Sequence, residues 1–221
     1  MKRLISLFLI ALVTISTLNV MTAGAVEVPK VSIDGNTSVT KTYGDKAFNL
    51  GLTVNADDAE VLKPKLTYTS ANEKIAKVSD GGKVTLTGCG KTTITAKASM
   101  LNPYSFFAGE KYITAQKKVI LTVTPGKVSF SIKKGDKKSK GYVYKKFIIK
   151  EQKNCNYIAR VGYDSNGKYK FLSNRENKKG TNYIEIGFPK GYKFYVQIKA
   201  YVTIDGKKIA SKFTSKKAIK L

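Results

Sequence analysis

The sequence predicts an all-β protein built as two tandem β-sandwiches. Two observations lead to this prediction. Apolar and polar residues alternate with a period of two in many short runs, which is typical of half-buried strands, and turn sequences such as Asp80-Gly81-Gly82 separate the runs. In the most regular stretch, residues 66–98, no period of 3.6 residues interrupts this alternation.

Residues 1–25 are predicted to be a secretory signal peptide and do not count toward the fold. Lys2 and Arg3 precede an apolar run at 4–15, and Ala23-Gly24-Ala25 has the small-residue pattern of a cleavage site. The apolar run is shorter than the ~20 residues of a spanning helix, which disfavours an uncleaved anchor, and we expect no transmembrane segment in the mature chain. We therefore expect a mature start near Val26 and a secreted protein, either released or held non-covalently at the cell surface.

Residues 26–125 are predicted to form the first domain. Short runs of β-favouring or alternating residues predict its strands, at 31–33, 39–43, 48–54, 67–69, 75–78, 83–87, 93–98 and 112–123. The run 48–54 is interpreted as one half-buried strand, and residues 55–58 as a loop. Gly88-Cys89-Gly90 provides a turn between two of the strands, because glycine tolerates positive φ.

Part of this domain resembles a known family. The residues Ser70-x-Asn72-x-x-Ile75-Ala76-x-Val78, Lys83-Val84 and Gly90-Lys91-Thr92-Thr93-Ile94-Thr95 resemble the second group of bacterial immunoglobulin-like domains. The resemblance implies a β-sandwich in a secreted or surface protein, usually with a structural or adhesive role. It identifies no ligand.

Residues 126–221 are predicted to form the second domain. Pro125-Gly126 leaves only a residue or two between strands, so we expect restricted bending between domains placed end to end. Alternating runs predict the strands of this domain, at 128–132, 142–150, 157–161, 169–171, 183–186 and 194–202, with a hairpin at Asp205-Gly206 and a short last strand.

The second domain carries its own family resemblance. The residues Tyr157-x-Ala159-x-Val161, Phe188-x-x-Gly191-x-x-Phe194-x-Val196-x-Ile198-x-Ala200-Tyr201 and Asp205-Gly206 resemble the fibronectin type III-like domains of Gram-positive surface proteins. The chain departs from that family in two places. It has no Trp, so a residue of Phe147-Ile148-Ile149 is expected to replace the core tryptophan, and Phe194 stands where the family has its corner tyrosine.

Composition excludes several kinds of chemistry. The chain has no His, which removes His-based catalytic triads and His-ligated metal sites, and it contains no phosphate-binding glycine motif. We expect no catalytic residues, no cofactor and no metal; an enzyme or inhibitor of an unrecognised type is the least favoured alternative. Cys89 and Cys155 fall in different domains, so a bridge between them would have to cross domains, and two unpaired cysteines are the simpler interpretation.

Charge is concentrated in the second domain. Residues 26–125 carry 13 Lys against 9 acidic residues, a net of +4, whereas residues 126–221 carry 25 Lys and Arg against 6 acidic residues, a net of +19. Nearly all of these bases are lysines, whose hydrated point charge suits diffuse attraction better than bidentate phosphate recognition. The partner expected for such a surface on an exported protein is an anionic cell-wall polymer or surface glycan, and nucleic acid is the disfavoured polyanion.

Two groups of side chains are candidate binding residues. The first is the aromatic loop before the last strand of the first domain, which either marks a contact site or folds back to cap the sandwich. The second is the set of interleaved lysines and tyrosines in the second domain, which either bind a polyanion or are ordinary solvent faces of strands. The candidates are Tyr104, Phe106, Phe107, Lys145, Lys146, Lys168, Lys170, Lys193, Tyr195, Lys199 and Tyr201.

The functional prediction is a secreted, non-catalytic binding or adhesion module of the cell surface. Its basic second domain is expected to hold it to anionic surface polymers. The alternative is a structural spacer or assembly subunit that docks another surface protein through the loop at Tyr104, Phe106 and Phe107.

Overall fold

Strands account for nearly all the regular structure in the computed structural model, which describes residues 27–165 and 168–221. The all-β prediction is therefore confirmed. The predicted signal peptide and the turn residues Asn166 and Gly167 lie outside the described residues. Within the described part, no helix is long and apolar enough to cross a bilayer.

The first sandwich is formed by residues between Val31 and Thr124. Its elements, in chain order, are β1 (Val31–Asp34), β2 (Ser38–Thr42), β3 (Phe48–Asn49), β4 (Thr53–Ala56), the one-turn helix α1 (Ala59–Leu62), β5 (Lys65–Ser70), β6 (Ala76–Val78), β7 (Lys83–Leu86), β8 (Gly90–Leu101), the one-turn helix α2 (Ser105–Ala108) and β9 (Tyr112–Thr124). One sheet has the order β2-β9-β8-β5, another has the order β3-β7-β6, and β1 pairs with β4.

The core of this sandwich comes from the predicted alternation. In β8, Ile94, Ala96 and Ala98 are fully buried, and in β9 Leu121 and Val123 are as well. The long antiparallel pairing of β8 with β9 places Ile94 opposite Val119, so one apolar face runs continuously across both strands. Val84 of β7 and Ile75 join the same cluster from the other sheet.

The predicted strand at 48–54 is wrong as a single element. The chain forms β3, passes through Gly51 at a φ of 65°, and then forms β4, which pairs with β1 instead of β7. Positive φ turns the chain out of the strand and is favoured at glycine, so the apolar alternation continues in sequence while the chain changes sheets. The predicted loop at 55–58 is also corrected, because Asn55 and Ala56 belong to β4.

The second sandwich is formed by residues between Phe130 and Ile219. Its strands are β10 (Phe130–Lys134), β11 (Tyr142–Ile149), β12 (Asn156–Ser165), β13 (Lys168–Glu176), β14 (Tyr183–Pro189), β15 (Phe194–Ile204), β16 (Lys207–Ala210) and β17 (Lys217–Ile219). The smaller sheet has the order β10-β11-β14. The larger sheet has the order β13-β12-β15-β16, and β17 also pairs with β15.

Phe147 lies at the centre of the second core. Its side chain is fully buried, and its ring makes edge contacts with Phe130 at 6.1 Å and with Phe188 at 6.2 Å between centroids. That Phe147 replaces the core tryptophan of the fibronectin type III-like family stays a prediction. Phe194 is also buried, 5.0 Å from Phe188 between ring centroids.

Tyr157 and Gln152 organise the entry into the second sandwich. The backbone N–H of Gln152 donates to the Tyr157 hydroxyl at 2.7 Å, and the Gln152 side chain accepts from the Gly126 N–H at 2.8 Å and donates to the Gly126 carbonyl at 3.1 Å. Burial raises the pKa of Tyr157 to about 12. The connection after Pro125 is therefore tied to the second sandwich by buried hydrogen bonds. That residues 26–125 and 126–221 are separate domains stays a prediction.

Candidate binding surfaces

The aromatic loop between β8 and β9 is built around Asn102, which is buried. The Asn102 side chain donates to the Glu110 carbonyl at 2.9 Å and accepts from the Tyr104 N–H at 3.0 Å. Its backbone N–H donates to the Lys111 carbonyl at 3.0 Å. An asparagine side chain that satisfies backbone groups in this way sets the loop conformation independently of the aromatic residues.

Tyr104 and Phe106, two aromatic residues of this loop, differ in how far they are buried. Tyr104 is half-buried, whereas the Phe106 side chain is 91% exposed at the tip, and Phe107 lies in the same helical turn, α2. Leu101 and Tyr112, which pair across the base of the loop, are each about half exposed. An exposed Phe106 does not cap the sandwich core, so this geometry favours the contact interpretation of the loop over the cap.

The loop lies far from the second sandwich. Strand β8 begins at Gly90, next to the junction between sandwiches, and reaches the loop after twelve residues. At about 3.3 Å per residue this separates the loop from the junction by roughly 40 Å. Tyr104, Phe106 and Phe107 therefore cannot form one site with the lysines of the second sandwich.

Three predicted lysines come together at the opposite end of the molecule. Lys168 and Lys170 begin β13 and are exposed, and exposed Lys193 precedes β15. Tyr163 of β12 pairs with both Lys170 and Phe194, which brings the two segments to the same end of the larger sheet. Tyr192, 59% exposed, packs against Tyr163 at 6.3 Å between ring centroids. We name Lys168, Lys170, Tyr192 and Lys193 the distal basic patch.

The outer face of the larger sheet carries a stack of cations and rings. The Arg160 guanidinium lies 4.2 Å from the Phe213 ring centroid and 5.9 Å from that of Phe171, and the Lys199 ammonium lies 4.8 Å from the Phe213 ring centroid. Cation–π contacts of this kind are worth about 0.5–2 kcal/mol. They hold long basic side chains across the sheet. We name Arg160, Phe171, Lys199 and Phe213 the outer-face stack.

Tyr195 and Tyr201 lie on this same face in different settings. A hydrogen bond with Tyr195 raises the pKa of Lys193. Tyr201 is buried, and its hydroxyl donates to Glu176 at 2.8 Å, while hydrogen bonds from Lys208 and then from Tyr201 lower the pKa of that carboxyl. Tyr201 therefore presents little ring surface to a ligand, whereas Lys199 and Tyr195 remain half-buried at the surface.

Lys145 and Lys146 belong to the smaller sheet, on the other side of the sandwich. They are neighbours in β11, so their side chains leave opposite faces of the strand. The Lys146 ammonium forms an ion pair with Asp136 at 2.8 Å and lies 4.1 Å from the Tyr183 ring centroid. The Asp136 hydrogen bond raises the pKa of Lys146. The predicted lysines thus surround the second sandwich and do not converge on one pocket.

Sequence reasoning missed Arg160, Phe171 and Phe213 as surface residues of interest. Arg160 alternates with buried Ala159 and Val161, which could have placed it on the outer face. Phe213 lies outside the named strands, between β16 and β17, so no periodicity could have assigned it to the outer face.

The Arg160 Nε is buried and has no hydrogen-bond partner among the described residues, and an unpaired buried donor costs about 1–3 kcal/mol.

Comparisons with known proteins give a local family match and several distant structural matches. Two crystal forms of human protocadherin-24 EC1-2 align with 87% of this chain, at 14% identity. The alignments cover 97% and 95% of the protocadherin chains. Their TM-scores are 0.29 and 0.31, which is too low to carry an argument. No curated protein sequence matches the chain. Residues 63–99, which contain β5 to β7 and most of β8, match the family model described as "Intimin, immunoglobulin-like domain", so this part of the first sandwich is similar to that domain.

Proposed function

We propose that this chain is an exported, non-catalytic binding or adhesion module of the cell surface. Its basic second sandwich is attracted to an anionic cell-wall polymer or surface glycan. The observation that carries the proposal is the net charge of +19 on residues 126–221, from 25 Lys and Arg against 6 acidic residues. A charge excess of this size on one half of a molecule produces a long-range attraction to polyanions.

The placement of the lysines supports a diffuse mode of attraction. Lys146 and Lys199 lie on the outer faces of the two sheets, and Lys168, Lys170 and Lys193 lie at the distal end, so a chain-like polyanion can approach from several directions. The distal basic patch is also the surface most remote from the first sandwich. It adds the exposed ring of Tyr192 at the same end of the sandwich, which offers apolar contact close to the charged segments.

The first sandwich supports the adhesion part of the proposal. Its residues 63–99 are similar to the immunoglobulin-like domain of intimin, and its strands provide a rigid support for the loop at Tyr104 and Phe106. Export depends on the predicted signal peptide at 1–25. In this arrangement the basic sandwich holds the protein to the envelope while the first sandwich extends away from it.

Salt dependence tests the electrostatic part of the proposal. Retention of the mature chain on isolated cell walls is expected to fall at least roughly tenfold between about 0.05 and 0.5 M NaCl, because screening shortens charge attraction. Co-sedimentation at increasing salt measures it. Retention that does not change with salt would contradict the proposed attraction.

A second candidate function follows from the exposure of Phe106. An aromatic side chain that is 91% exposed at the tip of a defined loop suits docking on another surface protein, with the molecule serving as a spacer or assembly subunit. This role does not require charge. The two functions can therefore be separated by experiment.

Replacing Tyr104, Phe106 and Phe107 together with serine tests the docking role. The triple variant is expected to lose cross-linking to its partner on intact cells while it keeps its wall retention and nearly all of its thermal stability. Leu101→Ser is the matched control, because Leu101 is 54% exposed at the base of the same loop. Unchanged cross-linking in the triple variant would remove the loop from the interaction.

A further inference from the structure

The two cysteines meet at the junction between the sandwiches. The Sγ atoms of Cys89 and Cys155 are 2.7 Å apart, although the residues are separated by 66 positions in the chain. This distance is less than 1 Å beyond the covalent S–S length of about 2.05 Å. Cys89 is 1% exposed and Cys155 is half-buried.

Backbone contacts hold the two cysteines together independently of their sulfur atoms. The Cys89 N–H donates to the Lys153 carbonyl at 2.9 Å, and the Asn154 side chain donates to the Lys74 carbonyl at 3.2 Å. Gly88 leaves no space at this point, since an added Cβ would collide with the Lys74 carbonyl and the Asn154 side chain. The close approach of the sulfur atoms is thus set by the surrounding chain.

An apolar environment surrounds the pair. Cys89 packs in one cluster with Val202 and Ile204 of β15, and Tyr43 and Ile209 lie against that cluster. The hydrogen bond with Cys89 and burial both raise the pKa of the Cys155 thiol, which favours its protonated form while it is reduced. Outside the cluster, Lys91 and Asp205 form an exposed ion pair at 2.6 Å that also joins the two sandwiches.

We propose that Cys89 and Cys155 form a disulfide that locks the two sandwiches together once the protein has been exported. The proposal rests on the export assumed in the proposed function, because disulfides persist in oxidising compartments outside the cytosol. The sequence alone favoured two unpaired cysteines, whereas the proposal pairs them in one covalent bond.

The oxidant is a disulfide compound, either the active-site disulfide of a thiol oxidoreductase or a small-molecule disulfide. The sulfur of Cys155, the more accessible of the two, gives up its proton as it attacks one oxidant sulfur and releases the other as a thiol, which leaves a mixed disulfide on Cys155. The Cys89 thiolate then attacks the Cys155 sulfur and displaces the remaining oxidant thiol. In total two protein thiols are oxidised, one oxidant disulfide is reduced, and two protons pass to the two released thiols.

The link would fix the relative orientation of the sandwiches. Without it they are joined by the chain after Pro125, by the apolar cluster around Cys89, by the hydrogen bonds already described, and by the exposed Lys91–Asp205 pair. A covalent bond at the junction adds a second attachment point and prevents rotation about the first. A rigid two-sandwich rod keeps the loop at Phe106 at a constant distance from the basic end.

The test uses the purified mature chain, so it involves no wall or partner. The protein is incubated with oxidised glutathione, and intact mass and non-reducing peptide mapping are measured. We expect the loss of two hydrogen atoms, one peptide pair joined through Cys89 and Cys155, and a melting temperature roughly 5–10 °C above that of the reduced protein.

The double variant with Cys89→Ser and Cys155→Ser is the control. It is expected to melt at the same temperature with and without reductant, and its fold is checked by circular dichroism. Two maleimide-reactive thiols once the oxidised protein has been denatured, or cross-links only between molecules, would overturn the proposal. Because no wall is present, this result is independent of whether the chain binds an anionic polymer.

Discussion

Replacing Phe147 with alanine is expected to lower the free energy of unfolding by about 3–5 kcal/mol, the cost of removing a large aromatic side chain from a packed core. Phe147 has no exposed surface and contacts the rings of Phe130 and Phe188 from opposite sides. Its loss removes buried apolar area and two edge contacts at once. Denaturation by urea, followed by circular dichroism because the chain has no Trp, measures the change.

Phe106→Ala is the matched control for this substitution. It removes the same side chain from a position that is 91% exposed, so we expect a change within about 0.5 kcal/mol. If the two sandwiches unfold in separate steps, Phe147→Ala should lower the free energy of unfolding in only one of the two steps. A loss below about 1 kcal/mol for Phe147→Ala would contradict the central place of this ring in the second core.

Neutralising the distal basic patch is expected to weaken wall binding strongly. The variant changes Lys168, Lys170 and Lys193 to glutamine. If each lysine near an anionic surface contributes about 1 kcal/mol at low salt, retention should fall roughly a hundredfold. Binding isotherms of the mature chain on isolated walls measure the loss.

A matched variant separates local placement from total charge. Lys65, Lys83 and Lys97 are exposed lysines of the first sandwich, and changing them to glutamine lowers the net charge by the same amount. We expect that variant to lose less than a few-fold in retention, because its charges lie on the sandwich that points away from the wall. Equal losses in the two variants would assign the attraction to net charge alone.

Much of the fold could be predicted from alternation alone. Along β15, the residues Phe194, Val196, Ile198 and Ala200 are buried in turn, as the sequence predicted, because a strand with one face in the core must alternate. The prediction failed where the chain changes sheets without losing its alternation. Gly51 between β3 and β4 is such a place, since a period of two says nothing about which strand becomes the hydrogen-bonded neighbour.

The surfaces were less predictable than the core. The interleaved lysines and tyrosines predicted a basic surface on the second sandwich. Only the strand register shows that Lys170 and Lys193 share one end of the larger sheet, while Lys146 belongs to the smaller sheet. The meeting of Cys89 with Cys155 depends on how the two sandwiches pack, which no local pattern encodes. The exposure of Phe106 likewise depends on the hydrogen bonds that Asn102 makes within its loop.

The most direct test of the proposed function compares isolated walls before and after chemical removal of their anionic polymers. The mature chain is incubated with equal amounts of each at low salt, and the bound fraction is measured by sedimentation. We predict strong retention on the untreated walls and near-complete loss on the stripped ones, because the +19 charge of residues 126–221 would have lost its counterpart. Equal retention on both would contradict the proposal that the basic sandwich holds the protein to the envelope by charge.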